Sequence, residues 1–436
     1  MLPLKHADQL AWNLKQKLQL LSINKLAKQT GFVKRTPKKI KPLNFLLGFF
    51  ITILTGGNSL STFAATIGLI ARCRLSKQAI DKRMKQPLIQ FLESVLEKTL
   101  SLNIGLDCKK TLGATFNRII TNDSTTIQLD SKLAEYFPGN KNQSNKQTAI
   151  LKIQAFYDLL AERFCHFSFA PYTKNDQTAS VDILAIIQHG DLIIRDLGYF
   201  VLSVFTQIQQ LGAYFLSRLK YNVTLYELDG ETKIDLLKLL NKDGKLDIDV
   251  IIGAEEKLAA RLVALPVSEQ VAAERRRKAK RDCRNNPSKH HLALLGWNIF
   301  ITNIQRDQLD GEQLVQLYGC RWRIEIIFKS WKSHFNLENV PTASLIRVVS
   351  YIYAMLIFIT IFQTYLYINL YNKMYGSDNN QLSLFKLSKF VKNQFWAIIL
   401  FMNNFEIIEA QIFYHCRSTV FGTILVRRNR KLIGRI

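Results

Sequence analysis

Apolar residues recur at three- and four-residue spacing through Leu10–Ile23 and again from Ile89 to Leu102, which predicts amphipathic helices. Another apolar run, Leu60 to Ile70, breaks at Cys73-Arg74-Leu75. Ser76 follows as an N-cap for a short helix over Lys77–Met84, a helix–turn–helix pattern. From about residue 111 the period changes. Asn117–Leu129 is β-branched with polar alternation, and Ile150–Tyr157 with Arg163–Ala170 read as a hairpin across Asp158–Glu162. Val181–His189 reads as a helix, Asp191–Asp196 as a short buried strand opening on Gly198, Val201–Leu211 as a helix and Tyr214–Leu219 as a strand. Three strands, helix, strand, helix, strand predict an α/β domain with a mixed sheet.

Residues 225–295 depart from that alternation. They hold the strand-like Arg261–Pro266 and a basic cluster of Arg275, Arg276, Arg277, Lys278, Lys280, Arg281 and Arg284, so the segment reads as an insertion. A strand at Asn298–Ile304 and one long helix over Asp310–His334 come next, and the remainder from Pro341 is mainly helical. The division is therefore a helical region 1–110, a core in two parts (111–224 and 296–345) around the insertion 225–295, and a helical region 346–436. Val348 to Asn372 carries no charge over 25 residues, long enough to cross a bilayer on length alone. It contains Ser350, Thr360, Gln363, Thr364, Asn369 and Asn372, and a helix buried on all sides of a large domain reads the same way. We read it as a core helix and expect no membrane partner.

Charge narrows the partner. The 436 residues hold 59 Lys+Arg against 34 Asp+Glu, a net +25 with a pI near 9.8. Residues 1–110 alone hold 19 Lys and Arg against 5 Asp and Glu, over half of the excess. At 48% hydrophobic the chain buries a core, so the charge belongs to a folded protein that meets a polyanion, nucleic acid first. Lys77, Lys82 and Arg83 would line the second helix of the helix–turn–helix pattern, on DNA or simply toward solvent. The six cysteines are scattered without a Cys-x-x-Cys pair, and Met1 to Leu20 lacks an uninterrupted apolar core. We expect a reducing, cytoplasmic setting.

The candidate chemistry lies on the helix YGCRWRIEIIFKSWK, where Tyr318, Arg321, Glu325 and Lys332 stand at i, i+3, i+7 and i+14. At roughly 100° per residue they fall inside an arc of about 60°. A phenol, a guanidinium, a carboxylate and an ammonium would share one face, although ordinary salt bridges along an amphipathic helix produce similar spacing. Asp123 sits within the first strand and Asp196 ends the buried strand Leu192–Arg195. An Asp at the end of an apolar strand is costly without a partner, and a shared metal would stabilise it. The plainer alternatives are an Asx turn at Ser124 or Thr125, and a turn cap before Gly198.

These motifs carry a resemblance. Tyr318-x2-Arg321-x3-Glu325-x6-Lys332 resembles the Tyr-Arg-Glu-Lys signature of the insertion-sequence four family of bacterial transposases. RWRIE at 321–325, Asp-Ser-Thr at 123–125, DLGYF at 196–200 and GWNIFITN at 296–303 are similar to that family and stand in its order, over roughly residues 30 to 350. The resemblance implies a ribonuclease-H-like catalytic core with a strand-rich insertion. It also implies Asp123, Asp196 and Glu325 as catalytic and metal ligands. Oxygen-only ligands favour two Mg2+, or Mn2+. Tyr318, Arg321 and Lys332 would then hold DNA, and Trp297 would stack on a flipped base or else fill the core. Lys329, Arg276 and Arg277 are further candidate DNA contacts, with a solvated surface as the alternative. Leu197 departs from the family, whose members often have Arg there.

The activity implied is cut-and-paste transposition on the terminal inverted repeats, through a hairpin, by a homodimer in a synaptic complex with double-stranded DNA and no small-molecule substrate. A catalytically inactive regulator that only binds DNA is the competing reading.

Overall fold

In the computed structural model, residues 21–101 and 115–400 are described, apart from 38, 57–58, 142, 144, 283–286, 339, 341, 369–370 and 372–381. Most of the helix expected over Leu10–Ile23 and the basic run from Arg427 to Arg435 lie outside them.

The N-terminal part is helical: α1 (Ile23–Gln29), α2 (Pro42–Thr55), α3 (Leu60–Ala71), α4 (Lys77–Asp81) and α5 (Gln86–Ser101). Local chemistry sets the ends. Pro42 opens α2, where its missing N–H costs nothing, and Gly56 closes it at φ 72°. Ser59 Oγ accepts from Thr62 N at 3.0 Å, and Ser76 Oγ accepts from Ala79 N at 3.2 Å, as the sequence predicts for Ser76. The second helix of the helix–turn–helix pattern is shorter than expected, five residues, because the chain turns after Asp81.

Among the described residues ten strands form one sheet: β1 (Ile119–Leu129), β2 (Pro138–Lys141), β3 (Gln147–Asp158), β4 (Arg163–Pro171), β5 (Leu192–Arg195), β6 (Tyr214–Arg218), β7 (Leu225–Tyr226), β8 (Leu246–Ile252), β9 (Leu258–Pro266) and β10 (Trp297–Thr302). The order is β2-β3-β1-β5-β6-β10-β9-β8-β7, with β4 also pairing β3. β1, β5 and β6 run parallel, while β3 and β10 flank them antiparallel. The segment read as an insertion adds β7, β8 and β9 to this same sheet through β10. Its helices are α7 (Leu236–Asp243), α8 (Glu269–Asp282) and α9 (Lys289–Leu294). The helix α6 (Leu202–Gln210) links β5 to β6. Where a helix was expected over Val181–His189, the chain forms a 3-10 helix at Thr178–Ala185.

The expected long helix 310–334 is two helices. α10 (Gly311–Gly319) starts on a reciprocal Asp310–Gln313 capping box, and α11 (Trp322–His334) follows after a break. At the break Cys320 N, Arg321 N and Arg323 N each bond the carbonyl three residues back, a tighter winding that ends α10 at Gly319. The apolar helix α12 (Leu345–Ile361) continues as a π-helical stretch, Phe362–Tyr367, before α13 (Leu384–Leu400). Leu345–Thr364 is long and apolar enough to cross a membrane, but 67% of that window is buried here. Phe358 of α12 packs on Phe50 of α2 at 5.4 Å and on Phe335 at 5.1 Å between ring centroids, and Tyr353 donates to Glu93 of α5.

The strands' two-residue period gives the sheet two apolar faces. One joins Ile119, Ile127, Ile194 and Leu216 to the N-terminal helices and α10–α12; the other joins Ile120, Ile193 and Phe215 to α6 and to residues of 225–295.

Candidate active site

Strand alternation places the first two acids. Ile119 and Ile127 face α11, so the odd-numbered Asp123 faces the same way. The β1–β5 register ends with Thr121 paired to Ile194; Asp123 lies two residues further along β1 and Asp196 two residues further along its chain, near enough for Asp123 to feel its charge. Arg195 pairs with Ser217 at the end of the β5–β6 register, and the next residues of the two chains, Asp196 and Arg218, both exert their charge on Tyr318. The parallel strands thus bring Asp123 of β1 to the region where β5 and β6 end in Asp196 and Arg218.

The third acid comes from α11. Arg321, at the break between the helices, reaches both sides of the cluster: its guanidinium lies 2.7 Å from Glu325 Oε1 and 3.7 Å from Asp196 Oδ1. Only 7% of Arg321 is exposed. Burial opposes its charge, yet Asp196, Tyr318 and Glu325 together leave its pKa raised. Its guanidinium also lies 5.5 Å from the Trp322 ring and 5.9 Å from that of Tyr318.

Asp123 accepts from Ser124 N at 2.7 Å. Its carboxyl is nevertheless pushed up to about 6, first by burial and further by Glu325 and Asp196, with Ser124 N and Arg321 pulling the other way. The Tyr318 hydroxyl is buried without a hydrogen-bond partner among the described residues, and its pKa is pushed up to about 12 by burial and by Asp196. An orphaned phenol beside a guanidinium is a donor available to a ligand oxygen.

Donor chemistry fits divalent cations. Asp123 is raised chiefly by burial and further by the charges of Glu325 and Asp196, and hard oxygen donors of this kind suit Mg2+ or Mn2+. Among the described residues no three acids, histidines or cysteines stand close enough to hold a metal as they are. Arg321 instead bridges Asp196 and Glu325, a cation serving the two anions.

The other sequence candidates are placed as follows. Lys332 pairs with Glu338 at 2.9 Å rather than with any of the three acids, and Lys329 is exposed on α11. Trp297 is partly buried, packs on the second core and donates its indole N–H to Gly244 O at 3.1 Å. Arg276 is tied to Glu269 at 2.8 Å and to Leu292 O, whereas Arg277 is exposed. Lys77, Lys82 and Arg83 are exposed on α4 and the turn after it.

Sequence reading missed Arg218, which ends β6, is half-buried and whose charge is felt by Tyr318. It forms no ion pair among the described residues. The available signal was a lone arginine closing an apolar strand, which by itself does not separate a site residue from a surface one.

Comparison with known proteins gives the family. A family profile described as the Transposase DDE domain matches residues 114–361. The chain is 33% identical to the transposase of insertion sequence element IS231D from Bacillus thuringiensis subsp. finitimus, over 77% of this chain and 75% of that one. It is 32% identical to the IS231B transposase of Bacillus thuringiensis subsp. berliner over 78% and 76% of the two chains. It is 28% identical to the IS1151 transposase of Clostridium perfringens over 81% and 79%. A solved piggyBac transposase synaptic complex overlaps with a TM-score of 0.44 at 10% identity over 94% of this chain and 83% of that one, too loosely to carry an argument.

Proposed function

The chain belongs to the transposase DDE-domain family, an enzyme that cleaves and rejoins DNA, and on that premise we propose that Asp123, Asp196 and Glu325 are its catalytic carboxylates. One observation carries the reading: Asp123 within β1 and Asp196 just past the end of the adjacent parallel strand β5 lie close enough for Asp123 to feel the charge of Asp196, and Arg321 links Asp196 to Glu325 on the facing helix. The strand order β4-β3-β1-β5-β6, with three antiparallel strands leading into two parallel ones, supports a ribonuclease-H-like core.

The three acids would hold two Mg2+ or Mn2+ ions, which supply an activated nucleophile on one side of a phosphodiester and stabilisation of the leaving oxygen on the other. This chain's own residues do the rest. Arg321 presents a planar fork to a phosphate once released from Asp196 and Glu325. Tyr318 donates its unpartnered hydroxyl to the DNA backbone, and Arg218 adds a second guanidinium at the same sheet end. Lys332, two turns beyond Glu325, would hold a phosphate near the cut once released from Glu338.

Hydrolysis frees a 3′-hydroxyl at the element's end. That hydroxyl then displaces a 3′-oxygen on the opposite strand, one P–O bond forming as one breaks, to give a hairpin. After reopening, the end joins target DNA by the same exchange. Trp297, at the start of β10, is the residue we assign to a base unstacked at the hairpin. Two copies bind the terminal inverted repeats in one synaptic complex, in the bacterial cytoplasm at the nucleoid.

Nicking of a duplex carrying the element's own end tests the assignment. With Mg2+, Asp123→Asn is expected to lose activity by about a thousandfold or more, while retaining end binding in a gel shift. Chelation of the metal should stop cleavage in the same way. Undiminished nicking by Asp123→Asn would reject the site.

A further inference from the structure

Behind the two aspartates, on the opposite face of the sheet, lies an arginine that the chemistry above does not use. Arg195 immediately precedes Asp196 and is 0% exposed. Its guanidinium donates to Asn122 Oδ1 at 3.0 Å, to Ser180 O at 2.7 Å and to Ser180 Oγ, and it stands 5.2 Å from the Tyr199 ring. Asn122, itself 1% exposed, immediately precedes Asp123. No carboxylate pairs with Arg195 among the described residues. Burial lowers its pKa to about 10, which still leaves it charged at neutral pH.

A buried charge without a counterion is a poor device for stability, since an apolar side chain of similar volume would avoid the desolvation altogether. What such a group supplies is a fixed geometry, because its Nη1 and Nη2 are held by acceptors on two different elements, while its Nε has no partner among the described residues. Here the acceptors lie on the neighbouring strand and on the 3-10 helix Thr178–Ala185. Ser180 Oγ in turn donates to Tyr199 O, at the end of the turn that follows Asp196. The two paired side chains each occupy the position next to a catalytic aspartate. A shift of β1 against β5 would therefore break the Arg195–Asn122 bond and separate Asp123 from Asp196 at once.

We propose that Arg195 is a positioning residue that, through Asn122, sets the spacing of Asp123 and Asp196 and with it the affinity of the site for divalent cations. The inference rests on the assignment of those aspartates as metal ligands. The Asn122 arm joins the two carboxylate-bearing strands, whereas the Ser180 arm ties β5 only to the 3-10 helix. The two arms therefore predict different outcomes.

The test measures binding of Mn2+ to the full-length, DNA-free protein from the spectroscopic signal of the free ion, alongside end binding in a gel shift and thermal unfolding. Arg195→Met and Asn122→Ala are expected to weaken Mn2+ binding about tenfold while end binding changes less than twofold. Ser180→Ala is expected to leave Mn2+ affinity within twofold. Should Arg195→Met fail to fold, Asn122→Ala carries the test. Unchanged Mn2+ affinity in folded Asn122→Ala overturns the proposal, as does an equal loss in Ser180→Ala, which would mark a general loosening. Asp123→Asn is the control: if it binds Mn2+ as the unmodified protein does, the ligand assignment itself fails and the proposal falls with it.

Discussion

Asp123 shows how a single side chain trades stability for chemistry. Its pKa rises from 3.8 to about 6 on folding, chiefly because the carboxyl is buried. The folded chain therefore holds this proton more tightly than the unfolded chain does. The resulting stabilisation is complete below about pH 4 and is lost as the pH climbs through about 6. Above that range the metal-free protein carries a buried anion beside two others, at a cost on the order of 3 kcal/mol. Asp123→Asn keeps an oxygen for Ser124 N and removes the charge. Without divalent metal it should therefore raise the melting temperature near pH 7.5, with the gain vanishing near pH 4. Calorimetry at both values checks this, and equal melting temperatures near neutrality would show that the cluster is not repulsive.

At the scale of elements, what was legible depended on whether the signal was local. Ser76 as a cap, the hairpin of β3 and β4 and the existence of the strands β5 and β6 follow from side chains within a few residues of one another. The break between α10 and α11 was not legible, because its one marker, Gly319, sits in a helical pattern where a glycine alone does not end a helix. That break matters, since it places Arg321 between the helices and Glu325 on a different helix from Tyr318. Nor could spacing show that β7–β9 pair onto the main sheet, because strand partners are chosen over long separations. Asp123 and Asp196 were singled out by motif, but their adjacency is a property of register. α12 is the element where composition alone left two readings. Its Phe358, 4% exposed, packs between α2 and Phe335. Phe358→Ala should therefore cost about 3–5 kcal/mol of folding free energy in detergent-free buffer. A lipid-facing phenylalanine would leave the melting temperature unchanged.

Across the whole molecule the +25 is divided between arginines that hold the fold and arginines free to meet phosphate. Arg275 donates to Trp297 O and Asn298 Oδ1, and Arg276 to Glu269 and Leu292 O, so both join α8 to its surroundings. Arg277 and Lys280 on the same helix are exposed, and neither forms a salt bridge among the described residues. If α8 lies along DNA, each exposed cation that meets a phosphate releases a counterion, contributing about 0.9 to the slope of log affinity against log salt concentration. The double variant Arg277→Ala/Lys280→Ala should then flatten that slope by about 2 and weaken end binding most at low salt. Its melting temperature and its nicking rate at saturating DNA should stay as they were. Arg276→Ala should behave in the opposite way, lowering the melting temperature with little change in slope, because its charge is already committed to the protein. A slope untouched by the double variant would assign α8 to the solvated surface and leave the helical N-terminal region as the principal electrostatic contact.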